Sequence, residues 1–528
     1  MTSAVDAVVI GAGHNGLVAA NLLADAGWDV VVVEAAERAG GAICSDETLL
    51  AGYVTDWFSA FYPLAAVSPA LAALELDRWG LSWQHAPAVL AHVWPDDRCA
   101  VLSRDREVTA ASVDSFAPGD GARWLELLEQ FERIRDPLLQ AVLAPFPPVA
   151  ATLRLLRRLG TAEALRLARF AILPVRRFGE ERFHGDAAPL LLAGNALHSD
   201  LAPEAAGSAL YGWLLCMLGQ TVGFPVPVGG SGMIIDALLG RLAASGGSLR
   251  TATPVSAIDV SAGRVQGVRL ASGELLRART VLADVGAPHL YRDLVGLAHL
   301  PARLGADLQA FQWDSPTLKL NWALSQPIPW TAREARGAGT VHLGVDLDGL
   351  TFYAASLAAH RMPHQPFVLL GQMTTADPTR SPAGTESAWA YTHLPAHLTL
   401  TAELIAEHVA RVEAVIEARA PGFGSSVLAR RVQTPADLQA VDANLVHGAV
   451  GGGTAALHQQ LIFRPIPGLG RAETPIDGLY LASAAAHPGG GVHGAPGAHA
   501  ARAALSRQRA SGGLKRAITD AALGRIYR

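Results

Sequence analysis

An α/β fold is predicted by three separated segments of this chain, each combining a glycine-rich loop and a helix with at least one strand. They lie at the start, the middle and the end of 528 residues. The sheet they build is therefore discontinuous, with an α+β domain inserted between its pieces.

The first segment, residues 6–41, reads DAVVIGAGHNGLVAANLLADAGWDVVVVEAAERAGG. Val8, Val9 and Ile10 form a short buried-strand run that stops at Gly11. Gly11, Gly13 and Gly16 then match G-x-G-x-x-G. The first permits a tight turn, the second lets a pyrophosphate approach the backbone, and the third lets the helix pack on the sheet. That helix, from about Asn15 to Asp25, directs its N-terminal amides at the phosphates. Gly27 ends it, Val30–Val33 form the next strand, and Glu34 is placed to accept hydrogen bonds from ribose hydroxyls. With both strands, the helix and Glu34 in register, an adenine dinucleotide is the expected ligand.

Beyond Glu34 the chain continues E-x-x-E-R-x-G-G, through Arg38, Gly40 and Gly41. Here it resembles glutathione-reductase-like flavoproteins, specifically the amine oxidase and phytoene desaturase superfamily, and the resemblance implies FAD rather than NAD. A second match, residues 227–288, holds a glycine loop, a helix, and strands with turns at 261–263 and 272–273. A third, residues 475–501, carries a strand at Leu479–Leu481, a loop at Gly489–Gly491 and a helix from Ala495. Its H-P-G-G-G-V-x-G-A-P-G is the most specific of the three, and is similar to the phytoene desaturase-like branch. Amides behind that loop would face the flavin pyrimidine edge, where negative charge develops on reduction. The cofactor positions this resemblance implies are Gly11, Ala12, Gly13, His14, Asn15, Gly16, Glu34, Ala35, Arg38, Gly40, Gly41, Ala42, Val255, Gly286, Ser483, Gly490, Gly491 and Val492. Two departures stand out. Ala42 occupies a place where many relatives carry a basic residue, pointing towards the ketolase-like and mitochondrial-type subgroup. Ser483-Ala484-Ala485 replaces the usual glycine-rich turn.

Length and composition set further bounds. A chain of 528 residues, 50% hydrophobic and 17% charged, is long enough for two domains with a substantial core. Its net charge of -5 gives no reason to expect nucleic acid. Cys44, Cys99 and Cys216 make no C-x-x-C pair, which argues against a redox-active disulfide and fits a reducing, cytosolic setting. Cys44, just after the Gly-Gly turn, reads as a small packed side chain or as a neighbour of the flavin. The N-terminus shows no signal-peptide pattern before its first strand. Residues 205–235 carry no formal charge but are broken by glycine and proline, leaving a short apolar helix near Ser208 to Leu218 rather than a membrane span.

The predicted FAD-binding domain comprises residues 1–56, 221–290 and 475–528, and the substrate domain residues 57–220 and 291–474. Within the latter, Thr317 to Leu324 and Phe367 to Thr374 alternate as strands, and Thr401 to Ala420 has helical periodicity. Residues 137–183 form a basic amphipathic helix pair with eight arginines (Arg154, Arg157, Arg158, Arg166, Arg169, Arg176, Arg177 and Arg182) against Glu163, Glu180 and Glu181. Two readings stay open: a solvated lid, or peripheral contact with an anionic membrane. The C-terminal tail from Ser506 is also basic.

One nucleotide fingerprint argues against a second, NADPH site. The expected activity is oxidoreduction: hydride passes from a hydrophobic, isoprenoid or carotenoid-like substrate to FAD, then electrons to oxygen or a quinone. His487 and His493 flank the glycine loop and are the candidate catalytic proton acceptors, or else hydrogen-bonding partners of the loop backbone, with His447 a weaker candidate. The histidines match no metal spacing. Two rivals are a flavin amine oxidase, for which the C-terminal segment offers only Tyr480 as an aromatic wall, and a flavin-containing binding or chaperone-like protein with little turnover.

Overall fold

Two seven-stranded sheets organise the computed structural model, which describes residues 4–527. Met1, Thr2, Ser3 and Arg528, the ends of the predicted FAD-binding domain, lie outside the described residues. In the first sheet, Val5–Ile10 pairs in parallel with Val30–Val33 on one side and Leu275–Ala283 on the other. Ser248–Arg250 and Leu479–Leu481 extend the parallel part, and the strands Val255–Ser261 and Arg264–Leu270 add an antiparallel meander. Ala7 and Val9 face the helices His14–Asp25, Gly232–Ala244 and Ala495–Gln508, whereas Val8 and Ile10 face Val281, Leu290 and Tyr291. Both faces are covered, which is why these strands are runs of valine and isoleucine rather than alternating ones.

The second sheet runs Val427–Gln433, Thr317–Leu324, Glu386–His393, Val368–Gln372, Ala338–Leu343, Ala88–Val93, Cys99–Leu102. Its neighbours are antiparallel except for Ala338–Leu343 beside Ala88–Val93. One face is hydrocarbon: Leu318, Leu320, Val341 and Leu370 pack under Ile405, Val409 and Val412 of the helix Ala402–Glu417. The pairing register puts Gln433, Lys319, Tyr391, Leu369, His342 and His92 in one row across the opposite face. A hairpin, Ser45–Leu50 with Tyr53–Asp56, reaches onto this sheet, where the Tyr53 hydroxyl donates to the Leu324 carbonyl at 3.1 Å.

Several expected boundaries shift, each for a visible reason. The strand foreseen at Phe367–Thr374 ends at Gln372, because the Glu386 carboxylate accepts from the amides of Thr374 (2.5 Å) and Thr375 (3.2 Å) and holds a helical turn there. The helix foreseen from Thr401 begins at Ala402, with the Thr401 hydroxyl accepting from the Leu404 amide at 3.2 Å as its cap. The apolar helix near Ser208 continues to Val222. Pro137 sits inside the helix Asp120–Leu143; it cannot donate to Arg133, and Arg158 Nε donates to that carbonyl instead, at 3.2 Å. The basic helix Val149–Phe170 breaks at Gly160 (φ 72°). Arg166, Arg169, Arg176, Arg177 and Arg182 are ion-paired, whereas Arg154, Arg157 and Arg158 have no carboxylate partner among the described residues. Among those residues no helix is long and apolar enough to cross a membrane.

A buried ion pair joins the hairpin to the turn Pro378–Arg380, between two strands of the second sheet. Arg380 Nη2 lies 2.5 Å from Asp56 Oδ2, both side chains 0% exposed, and Asp56 Oδ1 accepts from the Ser231 amide at 2.9 Å. Arg380→Met leaves that carboxylate buried without its counter-charge, a loss of about 3–5 kcal/mol. Its thermal midpoint is expected to fall by several degrees, and Asp56→Asn added to it to recover part of the loss. Equal midpoints for the single and double variants would exclude this account.

Candidate functional site

The three glycine segments meet through backbone. Glu34 accepts from the Ala12 amide at 2.7 Å and the Ala36 amide at 2.8 Å, tying the turn to the end of its neighbouring strand. Gly40 donates to the Ala12 carbonyl at 3.0 Å and bridges Gly13, so the second glycine pair lies on the first. A Cβ at Gly16 would strike the Gly11 carbonyl, and one at Gly497 the Asn15 carbonyl. The helix Ala495–Gln508 thus starts against the fingerprint, and His14 lies beside the Gly491 backbone. On the far side, the Ser483 hydroxyl donates to the Val285 carbonyl at 2.7 Å and the Gly286 amide to Asn444 Oδ1 at 2.9 Å. The residues leading to Val255 run beside Glu34: the Thr253 amide donates to its carbonyl at 2.8 Å. Ala35 and Arg38 are exposed, Ala42 packs with Cys44 and Trp57, and half-buried Val492 packs against the sheet's helical layer.

Sequence reasoning missed the acids that converge here. Asp284, at the end of Leu275–Ala283, accepts from the Gly16 amide at 2.8 Å, and a Cβ at Gly13 would come within 2.7 Å of its Oδ2. Burial, with Asp442 and Glu34 nearby, pushes its carboxyl up to about 8. Burial and Glu34 likewise push Asp442, beside Gly41, up to about 6. A carboxyl kept neutral at pH 7 is compatible with a diphosphate at the same turn; an ionised one would repel it.

The candidate histidines are occupied by backbone. His493 Nδ1 accepts from the Ala495 amide at 3.1 Å, and its carbonyl accepts from the Ser68 hydroxyl at 2.5 Å. Burial pulls it down to about 3. His487 Nε2 lies 3.1 Å from the Ala144 carbonyl, and His499 Nε2 2.9 Å from that of Leu143. These two rings hold the end of the helix Asp120–Leu143, and burial pulls both down to about 4. His447 is exposed, and Tyr480 is buried in its strand.

Two cations carried no sequence signal. Arg464, 1% exposed, spreads its guanidinium over the carbonyls of Gly451, Gly452, Gly453, Thr454 and Ala484. Asp314 takes the same loop from its other side, accepting from the amides of Val450 (2.9 Å) and Gly451 (2.5 Å). A Cβ at Gly490 would fall 2.6 Å from the Gly451 carbonyl, so this clamped loop supports the Gly489–Gly491 turn. Lys319 is buried on the polar face of the second sheet. It donates to the Asp56 carbonyl and to Asn321 Oδ1 (3.1 Å), and its ammonium lies 5.6 Å from the Trp389 ring centre. Burial lowers it to about 7, against the pull of Asp56. Trp389 stacks on Tyr391 at 5.9 Å, with Phe61 6.1 Å from Trp389. Cys44, near Lys319, is a packed thiol pushed by burial up to about 12.

These residues fit an FAD. The fingerprint helix begins with two buried polar atoms, His14 Nε2 and Asn15 Oδ1, that have no protein partner, and the turn before it admits no Cβ at Gly13. The profile described as flavin containing amine oxidoreductase matches residues 16–381. A mouse protein named pyridine nucleotide-disulfide oxidoreductase domain-containing protein 2 is 30% identical, over 94% of this chain and 92% of its own. A phytoene desaturase (lycopene-forming) of a Paracoccus species is 24% identical, over 95% and 97%. A solved oxidoreductase of Methanosarcina mazei shares the fold at a TM-score of 0.63 and 16% identity, over 95% of this chain and 100% of that one. The chain belongs to the flavin-containing amine oxidoreductase family, the superfamily of amine oxidases and desaturases, and is an FAD-dependent oxidoreductase.

Proposed function

We propose that this protein dehydrogenates an apolar, isoprenoid-like small molecule and passes the electrons to oxygen or a quinone. The observation that carries this reading is the wall beside the glycine loops. The helix Ser208–Val222 contains no charged residue and leaves Leu210, Tyr211, Leu214 and Leu215 half-buried. Leu64, from the turn packed on that helix, would touch a Cβ at Gly491, and Tyr211 lies close enough to Arg464 to feel its charge. Hydrocarbon thus meets the turn assigned to the flavin. In this reading residues 57–220 and 291–474 supply the substrate side.

Bound FAD supplies the hydride acceptor. The chain supplies dryness, position and a proton acceptor. Lys319 is poised for the last: burial lowers its ammonium to about 7, and a neutral amine beside a forming allylic cation takes the adjacent proton.

Three outcomes test this reading. In an anaerobic screen of purified yellow protein, lipophilic polyenes are expected to bleach the flavin and simple amines to leave it oxidised; the reverse pattern would sink the reading. Lys319→Met is expected to keep its flavin but bleach at least about tenfold more slowly at pH 8, while the wild-type rate climbs with pH through about 7 as Lys319 loses its proton. A wild-type rate flat from pH 6 to 9 would remove Lys319 from that role. Finally, a diphosphate bound beside Asp284 favours its acid form, so above pH 8 binding must take up a proton. The affinity of stripped protein for FAD is expected to drop by up to about tenfold per pH unit there, and Asp284→Asn to flatten the slope. Parallel slopes for the two proteins would show that Asp284 is not the group.

A further inference from the structure

We infer that Arg464 is a positioning residue that sets the reduction potential of the flavin, holding a full positive charge beneath the Gly489–Gly491 turn. The inference rests on the reading that this turn receives the isoalloxazine. A buried guanidinium normally has a carboxylate in contact. Arg464 has none within ion-pair distance among the described residues; its N–H groups go to main-chain carbonyls, including that of Ala484 at 2.7 Å. The carboxylate whose charge it feels, Asp314, is outside ion-pair distance and is engaged by the amides of Val450 and Gly451. Asp200, next to Asp314, is paired with His393 at 2.6 Å. The charge on Arg464 is therefore left largely uncancelled. It is also close to the turn: a Cβ at Gly489 would lie 3.1 Å from its Cζ. Carbonyl dipoles fix where the cation stands and do not neutralise it. A fixed positive charge in a dry site favours the negative charge that the flavin pyrimidine edge acquires on reduction.

A loop clamp and a charge make different demands. Arg464→Lys keeps the charge and loses the fork; Arg464→Gln keeps a donor and loses the charge. Both are compared with wild type as purified holoprotein, after counting extracted FAD. The readouts are midpoint potential by dye equilibration and affinity for sulfite. The sulfite sulfur lone pair forms a bond to flavin N5, and the displaced electron pair leaves a negative charge across N1 and the C2 carbonyl. In molecules that retain FAD, Arg464→Gln is expected to lower the potential and weaken sulfite binding at least about tenfold, with Arg464→Lys close to wild type. Asp314→Asn removes the neighbouring anion and is expected to tighten sulfite binding. Flavin-loaded Arg464→Gln with wild-type potential and sulfite affinity would overturn the inference. Should that variant hold no flavin, unchanged sulfite affinity in Asp314→Asn would overturn it instead. Wild-type protein that binds no flavin would condemn the site assignment rather than the role of Arg464.

Discussion

The nucleotide end of this protein depends on main chain meeting main chain with no side chain between. Gly13 bridges Gly40, Gly16 faces the Gly11 carbonyl, Gly497 sits on the Asn15 carbonyl, and Gly490 lies against the Gly451 carbonyl. Each glycine adds disorder to the unfolded chain, at roughly 0.5–1 kcal/mol relative to alanine within regular structure. The return is geometric: segments from the start, middle and end of the chain close to within backbone contact. Arg464 and Asp314 complete the arrangement by taking the carbonyls and the amides of one loop from opposite sides. A larger residue at any of these glycines would move whole segments.

How much of this was legible in the sequence follows from the range of each interaction. The strand, turn and helix of residues 5–33 are local, and the residue pattern places them to within three residues. Asp284 is 268 positions from the amide it accepts, and no periodicity announces such a pairing. Lys319 is hidden for a different reason. The alternation of Thr317–Leu324 is visible, but all eight residues are buried, and alternation alone does not distinguish a buried polar row from a solvent-facing one. At Pro137 an arginine from the neighbouring helix replaces the missing donor, a pairing that local rules do not foresee. The end of the strand at Gln372 was illegible because the cap comes from Glu386, on the next strand of the sheet.

The histidines show how position along a loop differs from freedom to react. His487 and His493 flank the glycine turn, yet each spends a ring nitrogen on the main chain. A neutral imidazole accepting from the Ala495 amide satisfies the start of one helix, and two others occupy the last carbonyls of another. Burial with few charged partners keeps these rings neutral, which suits hydrogen bonding and weakens them as bases. The arginines of residues 149–182 divide similarly. Most face a carboxylate on the same or a neighbouring helix, so the block of basic residues in the sequence overstates the free charge on the surface.

Asp284 and Lys319 respond to burial in opposite directions and arrive at the same window. Desolvation raises the carboxyl to about 8 and lowers the amine to about 7, because in each case the uncharged form is the one a dry interior tolerates. The acid lies at the glycine turn and the amine on the polar face of the second sheet. There the Asp56 carbonyl and Asn321 take the N–H groups of Lys319, while burial disfavours its charged form. The permanent cation, Arg464, is instead placed behind the glycine loop, where carbonyl oxygens surround it and its field reaches the turn through backbone alone.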